Sequence, residues 1–426
     1  MDNLIVSIER DGRLCPAGMI SGDGPLDSRF AYLEDYLKSG DAAPISLSLP
    51  LQAQAFSAAR TKAFFEGLLP EGFTRRTVAQ WMHVAEDDYL SILHGLGREC
   101  LGALCITVEG EDSEAVYTRI TEREVRALAA EGASKSIELV AKSHLSLTGA
   151  SGKVGLYYRP EENAWYLPQG AAPSTYIVKQ SHIRLDGIVL NERLSLLTAA
   201  GCGIAVPRSF IINTGAGRDG EVLFATERYD RRFVPGGRLI SGLRCPLRLH
   251  QEDFAQAMGI PASEKYEKEP RGYLKQMFDV LRRCSANPIE DQMKLWDMLV
   301  FNYLIGNTDS HIKNFSLLYS PNLRAIRLAP AYDIVSTSVY EESTRELAFF
   351  IGDTLLLDDL TTDSFRIAAR EVGLGERMAM SRFDAMCRRF RPALHAAAEE
   401  LAAEGFPKAY VLEQGILETG GERMAI

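Results

Sequence analysis

The chain has 426 residues, enough for two or three domains or lobes and too many for one small core. Apolar residues make up 46% and charged residues 24%, an ordinary globular balance, and no apolar run approaches the roughly 18 residues of a membrane span. The net charge of −10 argues against a broad nucleic-acid surface, which is normally basic.

The first segment, MDNLIVSIERDGRL, carries Asp2 and Glu9 where a secretory signal would be basic and then apolar. It reads as two short strands about the turn pair Asp11-Gly12, which places the protein in the cytoplasm. The seven cysteines (15, 100, 105, 202, 245, 284, 387) are scattered without a CxxC pair, as expected of reduced, mostly buried thiols rather than a disulfide or zinc framework. Residues 1–110 form a first unit. In it, PISLSLPL (44–51) precedes a helix through AFFEGLL (63–69) that Pro70 interrupts, a second helix from Glu71 to about His83, and a third over DDYLSILHGLG (87–97) that Gly95 and Gly97 end.

Thr121 and Glu124 have capping-box spacing and predict a further helix start. Short strands dominate from about 145 to 230: KVGLYY, AWYLP, TYIVKQ, SFIIN and VLFATERY. Among them lies a helix with an apolar stripe of Leu190, Leu194 and Leu197 and a stop at Gly201. A small sheet with one helix suits a nucleotide-binding lobe, here 111–235. From about 245 the chain reads as mainly helical, giving a third part, 236–426. Asn287 and Pro288 suit the N-cap and first position of a buried helix carrying Leu295, Trp296, Leu299, Val300, Tyr303 and Leu304, which Gly306 ends. Arg382, Arg388, Arg389 and Arg391 cluster near the end; a solvated helix face is the plainer reading, and a local nucleic-acid patch the alternative.

The chemistry centres on two loops, NTDSHIKN (307–314) and PAYDIV (330–335), separated by a predicted hairpin. Phosphoryl transfer requires a positioned nucleophile, metal ions on the phosphate oxygens and cationic charge compensation. An Asp followed five residues later by Asn is the offset of a protein-kinase catalytic loop, here Asp309 and Asn314. Asp333 lies in an apolar context where a lone carboxylate is costly, which points to a metal or cation partner. Lys313 suits phosphate charge, and His311 suits orienting Asp309 or a phosphate oxygen. Lys179, ending the strand TYIVK, and Glu192 on the following helix match the strand-lysine and helix-glutamate pair of kinases. SLTGASGK (146–153) offers glycines and hydroxyls to a phosphate but does not match the Walker pattern. TERYD (226–230) suits a hinge whose backbone meets an adenine edge.

These pieces, in this order, resemble the HipA-like toxin kinases of bacterial toxin–antitoxin modules. SLSLPL, FFEGLLPEG and LGRECLGAL are similar to the family's N-terminal region; SLTGASGK, YIVK, TERYDRR, LHQEDFAQAMG, IGNTDSHIKNFSLL and LAPAYDIVS are similar to its kinase core. The resemblance implies an α+β, atypical bilobal protein-kinase-like fold with an added N-terminal α/β subdomain and a mainly helical C-terminal lobe. It implies a Mg-ATP-dependent serine/threonine kinase with Asp309 as catalytic base and Asn314 and Asp333 as Mg2+ ligands. Lys179 would contact ATP phosphates and Glu227, Arg228 and Tyr229 line the adenine site. His311, Lys313 and Tyr332 would fall in the nucleotide pocket, and Thr148, Gly149, Ala150, Ser151, Gly152 and Lys153 form the phosphate loop. Ser146 matches the family's autophosphorylated serine, with Ser143 a neighbouring alternative. Ser151 and Gly152 replace the family's usual Gln and Glu or Pro before the loop lysine. The implied partners are a helix-turn-helix antitoxin (HipB-like), operator DNA through that complex, and a protein substrate such as a glutamate-specific aminoacyl-tRNA synthetase. A small-molecule kinase and a corepressor acting mainly through an antitoxin–DNA complex are the competing readings.

Overall fold

The structure is a computed structural model that describes residues 3–108, 110, 114–132, 135–136, 139–140, 152–182 and 185–424. The chain forms two interleaved compact units. One comprises Met1–His182, Ile212–Ala262 and Leu318–Ile326, the other Ile183–Ile211, Ser263–Leu317 and Arg327–Ile426.

The first unit opens with the expected hairpin, β1 (Leu4–Arg10) and β2 (Arg13–Ser21). Asp11 and Gly12 both take positive φ, 48° and 80°, which the tight two-residue hairpin turn requires and which Asp and Gly tolerate. With β3 (Arg29–Tyr32) and β4 (Leu104–Val108) they form an antiparallel sheet ordered β3-β2-β1-β4. Gly72–Met82 and Tyr89–Leu96 follow the sequence reading closely, whereas the first helix is Ala58–Glu66, starting before Ala63 and ending at Gly67 rather than at Pro70. Ser57 and Asp88 cap the first and third, and His83 and Gly97 close the second and third. Gly95 stays inside its helix, where an added Cβ would meet the Met82 side chain at 2.3 Å. Phe30, Phe64, Phe65 and Tyr89 are fully buried in this part of the unit.

The same unit holds a larger sheet in which β5 (Val116–Arg119), β7 (Ala164–Gln169), β6 (Lys153–Arg159), β8 (Tyr176–Gln180) and the strand Val222–Glu227 are successive neighbours. The Thr121/Glu124 capping box starts the helix Glu122–Glu131 as the spacing predicts. Four short strands lie between Leu239 and Asp253, so helix begins only at Phe254, later than the composition suggests. Their charged residues pair across the unit in a way no local pattern reveals.

The second unit is mainly helical. Pro288–Ile305 has Asn287 at its N-cap and Pro288 in its first turn. It ends at Gly306, where φ is 75° and a Cβ would lie 2.1 Å from Ser338 Oγ, so only glycine fits. Trp296 and Phe301 on this helix and Phe365, Phe383 and Phe390 in the same unit are fully buried, and Trp296 Nε1 donates to the Ala379 carbonyl at 2.9 Å. The helix Ile188–Gly201 does not stop before Gly201. An added Cβ there would come 2.9 Å from Ala393 Cβ, so this glycine serves close packing against the long helix Glu376–Ala403. The turn is made by Gly203, at φ 90°. All seven cysteines are free, with Cys100, Cys105, Cys202 and Cys245 buried. Among the described residues no helix is long and apolar enough to cross a membrane.

Candidate active site

The second unit carries the two acidic loops. Residues 307–314 leave the helix end at Gly306. Asn307 Oδ1 accepts from the Asp309 N–H at 3.1 Å, closing a local turn at the start of the loop. Asp309 is exposed, whereas His311 and Lys313 are buried, so Lys313 is not the solvated lysine that loop position alone would suggest. Asn314 Nδ2 donates to the Asp309 carbonyl at 2.8 Å. This bond joins the two residues of the five-residue motif and engages the amide nitrogen, leaving the carbonyl oxygen as the side chain's hard donor for a cation.

The second loop and the turn that follows it, at Thr337, are bound to the first loop at two points. Tyr332 donates its hydroxyl to the Lys313 carbonyl at 2.9 Å, and Ser316 Oγ lies 2.6 Å from the same hydroxyl. Thr308 N–H donates to Thr337 Oγ1 at 2.8 Å, and the two hydroxyls are 2.7 Å apart. Asp333 lies between these ties, half-buried, with φ at 55°. Left-handed backbone is uncommon away from glycine, and Asp is among the residues that adopt it at modest strain.

Three further contacts fix this loop from outside. The Ala331 N–H donates to the Ala205 carbonyl at 2.8 Å. Asn191, fully buried, donates from Nδ2 to the Ser336 carbonyl at 3.0 Å and accepts the Ser336 N–H at 2.9 Å. Asp291, also buried, accepts from Arg327 and from the Leu328 N–H, anchoring the strand that enters the loop. Glu192 is buried beside Asn191 on Ile188–Gly201.

The first unit holds the lysines. Lys179 is the penultimate residue of β8, not its end, and Lys153 is the first residue of β6, not part of a loop. The two are register partners across the strand pair, and both are buried. Like charges directly opposite repel, so this pairing favours anionic charge held with them. Lys179 Nζ also lies 5.7 Å from the centre of the Phe224 ring. Gly152 has no room for a side chain: a Cβ would be 1.8 Å from Gln180 Nε2, and Ser136 holds Gln180 at 2.6 Å. Ser143, Ser146, Thr148, Gly149, Ala150 and Ser151 lie outside the described residues.

Arg228 is not turned toward a ligand. Its guanidinium is fully buried against Glu99 and Asp230, and its N–H donates to the Thr175 carbonyl. The Arg228 guanidinium therefore serves the interior of this unit, and in the same segment Tyr229 donates its hydroxyl to Gln251. Arg228 belongs instead to a buried cluster of Glu9, Glu99 and Asp230 with Arg228, Arg231 and Arg248. Burial opposes ionisation of Glu99, but Arg231, Arg248 and Arg228 outweigh it and hold its pKa down at about 2. Asp230 is likewise held at about 2: burial raises it, and Arg228 and Arg231 more than compensate.

Nearby, Glu252 is fully buried and accepts from Ser46 Oγ at 2.5 Å, the Leu47 N–H at 3.0 Å and the Tyr319 hydroxyl. Burial outweighs these donors and raises its pKa to about 7. Sequence reading missed both clusters, although Glu99, Arg228, Asp230, Arg231, Glu252 and Ser46 sit in LGREC, TERYDRR, LHQED and SLSLP. Acidic residues amid apolar runs were the available signal.

An Asp–Asn loop laced to an Asp-bearing turn in one unit, and paired strand lysines in the other, suit phosphoryl transfer, and the class of protein is a protein kinase with a mixed α+β fold. Residues 145–394 match the HipA-like C-terminal domain and 14–107 the HipA N-terminal domain. The chain belongs to the HipA-like kinase family. It is 33% identical over 385 residues to a Sinorhizobium fredii protein named "Putative kinase Y4mE", spanning 87% of this chain and 86% of that one. It is 28% identical over 380 residues to the serine/threonine-protein kinase toxin HipA of Shewanella oneidensis, spanning 84% and 81%. The fold matches a structure of the Shewanella oneidensis HipA, HipB and operator DNA complex with a TM-score of 0.78 at 22% identity, over 98% of this chain and 97% of that one.

Proposed function

We propose that the chain is a Mg-ATP-dependent serine/threonine protein kinase that acts as a toxin. The observation that carries this reading is the pair of ties that hold the first acidic loop to the second and to the turn after it, Tyr332 to Lys313 and Thr308 to Thr337, with Asp309 and Asp333 on the loops so held. Asp309 is the base: it takes the proton of the substrate hydroxyl as that oxygen attacks the γ-phosphorus and the bond to ADP breaks. Asn314 and Asp333 present the oxygen donors a divalent cation prefers, and bound Mg2+ would neutralise charge on the phosphate oxygens. Lys179, Lys153 and Lys313 would offset phosphate charge, His311 and Tyr332 would belong to the nucleotide pocket, and Glu227, Arg228 and Tyr229 would line the adenine site. The segment 148–152 is the phosphate loop. In functional terms 1–110 is a docking subdomain, 111–235 the ATP-binding lobe and 236–426 the catalytic lobe.

Autophosphorylation falls on Ser146, with Ser143 the alternative; nearly two negative charges beside the ATP phosphates would expel the loop and switch the enzyme off. The Shewanella structure contains HipB and operator DNA. On that basis we assign this chain a HipB-like helix-turn-helix antitoxin and contact with operator DNA through it. The substrate is a cellular protein, a glutamate-specific aminoacyl-tRNA synthetase being the leading candidate. Incubation with labelled ATP and Mg2+ tests the reading: label on Ser146, absent in Asp309→Gln, is expected. Turnover only with added metabolites would mean a small-molecule kinase. No labelling with intact operator-complex formation would mean a corepressor.

A further inference from the structure

We infer that Tyr266, a residue outside both acidic loops, is the positioning residue of the catalytic base; this rests on the assignment of Asp309 as that base. The Tyr266 hydroxyl donates to Asp309 Oδ1 at 2.5 Å. Its ring packs edge-on against His311, with centroids 5.2 Å apart and planes at 80°. Tyr266 thus touches two side chains of the loop 307–314 from a segment about forty residues earlier in the chain.

That segment is itself held. Glu267, next in sequence and 2% exposed, donates its N–H to the Ala348 carbonyl at 2.8 Å. Its carboxylate accepts the N–H groups of Arg271 at 2.7 Å, Tyr273 at 3.1 Å and Phe350 at 3.0 Å. Tyr273 in turn donates its hydroxyl to the Glu264 carbonyl at 2.8 Å. The Tyr266 backbone is therefore bolted to the strand Glu346–Ile351 and to the start of the helix Tyr273–Cys284.

Asp309 is exposed on a loop, and a carboxylate there samples several rotamers. A donor on a fixed backbone selects one of them and engages one oxygen. The carboxylate is thereby held in one orientation for the substrate hydroxyl. Near-attack geometry is sensitive to displacements of about 1 Å, so selecting the rotamer governs the chemical step rather than nucleotide binding.

The test uses the full chain, Mg2+ and labelled ATP, reading the rate of label incorporation into the chain for wild type, Tyr266→Phe and Asp309→Gln. Tyr266→Phe is expected to lower the maximal rate roughly 10- to 100-fold, the scale on which misplaced catalytic groups act. Half-saturation by ATP and the melting temperature should stay at wild-type values. A rate within two-fold of wild type overturns the inference. So does a faster rate, which would mean the hydroxyl blocks the base, and so does a matching loss of ATP affinity or stability, which would make Tyr266 structural. Label retained by Asp309→Gln, or absent from wild type, overturns the underlying base assignment instead.

Discussion

The hydroxyl of Tyr332 donates to the carbonyl of Lys313 at 2.9 Å, across nineteen residues of chain. The bond joins the loop that carries Asp309 and Asn314 to the residue immediately before Asp333. Asp333 depends on such support, because its left-handed backbone is not one an isolated segment would hold. Tyr332→Phe removes one hydroxyl from a half-buried position. We expect a loss of about 1 kcal/mol in stability, measured by urea unfolding, and a larger loss in phosphotransfer rate. Ser316→Ala, which leaves the Tyr332–Lys313 bond in place, should lower the rate less.

Asp309→Gln should lower the phosphotransfer rate by about 10²- to 10⁴-fold, the usual contribution of a general base. The residue is exposed and its backbone carbonyl still accepts from Asn314, so the melting temperature should change little. Label incorporation and a thermal melt on the same preparation check both halves.

Glu99→Gln would leave Arg228, Arg231 and Arg248 buried with less countercharge. Breaking a buried ion cluster costs about 3–5 kcal/mol, and urea unfolding of the variant should show a loss on that scale. In the wild-type protein Glu99 and Asp230 titrate near 2, below their unfolded-state values. Their contribution is complete above the unfolded pKa, near 4, and disappears as pH falls toward 2. Neutral-pH changes should not touch it.

Glu252 has the opposite sign. Its pKa of about 7 exceeds the unfolded value, so the fold favours the protonated acid, and stability falls as pH rises from about 4.5 through 7. His250, two residues earlier, is buried with its Nε2 2.8 Å from the Ile45 carbonyl, and burial lowers its pKa to about 4. The fold favours neutral His250, whose contribution is lost as pH falls from about 6.5 through 4. Glu252→Gln should remove the alkaline loss, of the order of 3 kcal/mol, and leave the acid-side loss. Urea midpoints at pH 5 and pH 8 for both proteins would show this as a change in slope; parallel curves would contradict it.

What the sequence alone determined was local. Helix limits followed from caps and glycines, as at Thr121, Asn287 and Gly306, because those groups act within one turn of the residues they terminate. The order of Asp309, Asn314 and Asp333 was legible for the same reason: a loop motif is read from its spacing. Tertiary structure decided what the motif residues touch. Arg228 looked like part of a nucleotide hinge and proved to be a buried counterion of Glu99, 129 residues away. Tyr266 carried no local sign of its bond to Asp309, and Asn191 none of its clamp on Ser336. Hydrogen bonds and ion pairs between distant segments leave no periodicity in sequence, since their partners are chosen by packing. Burial gives those partners their energetic weight, and burial is a property of the folded chain.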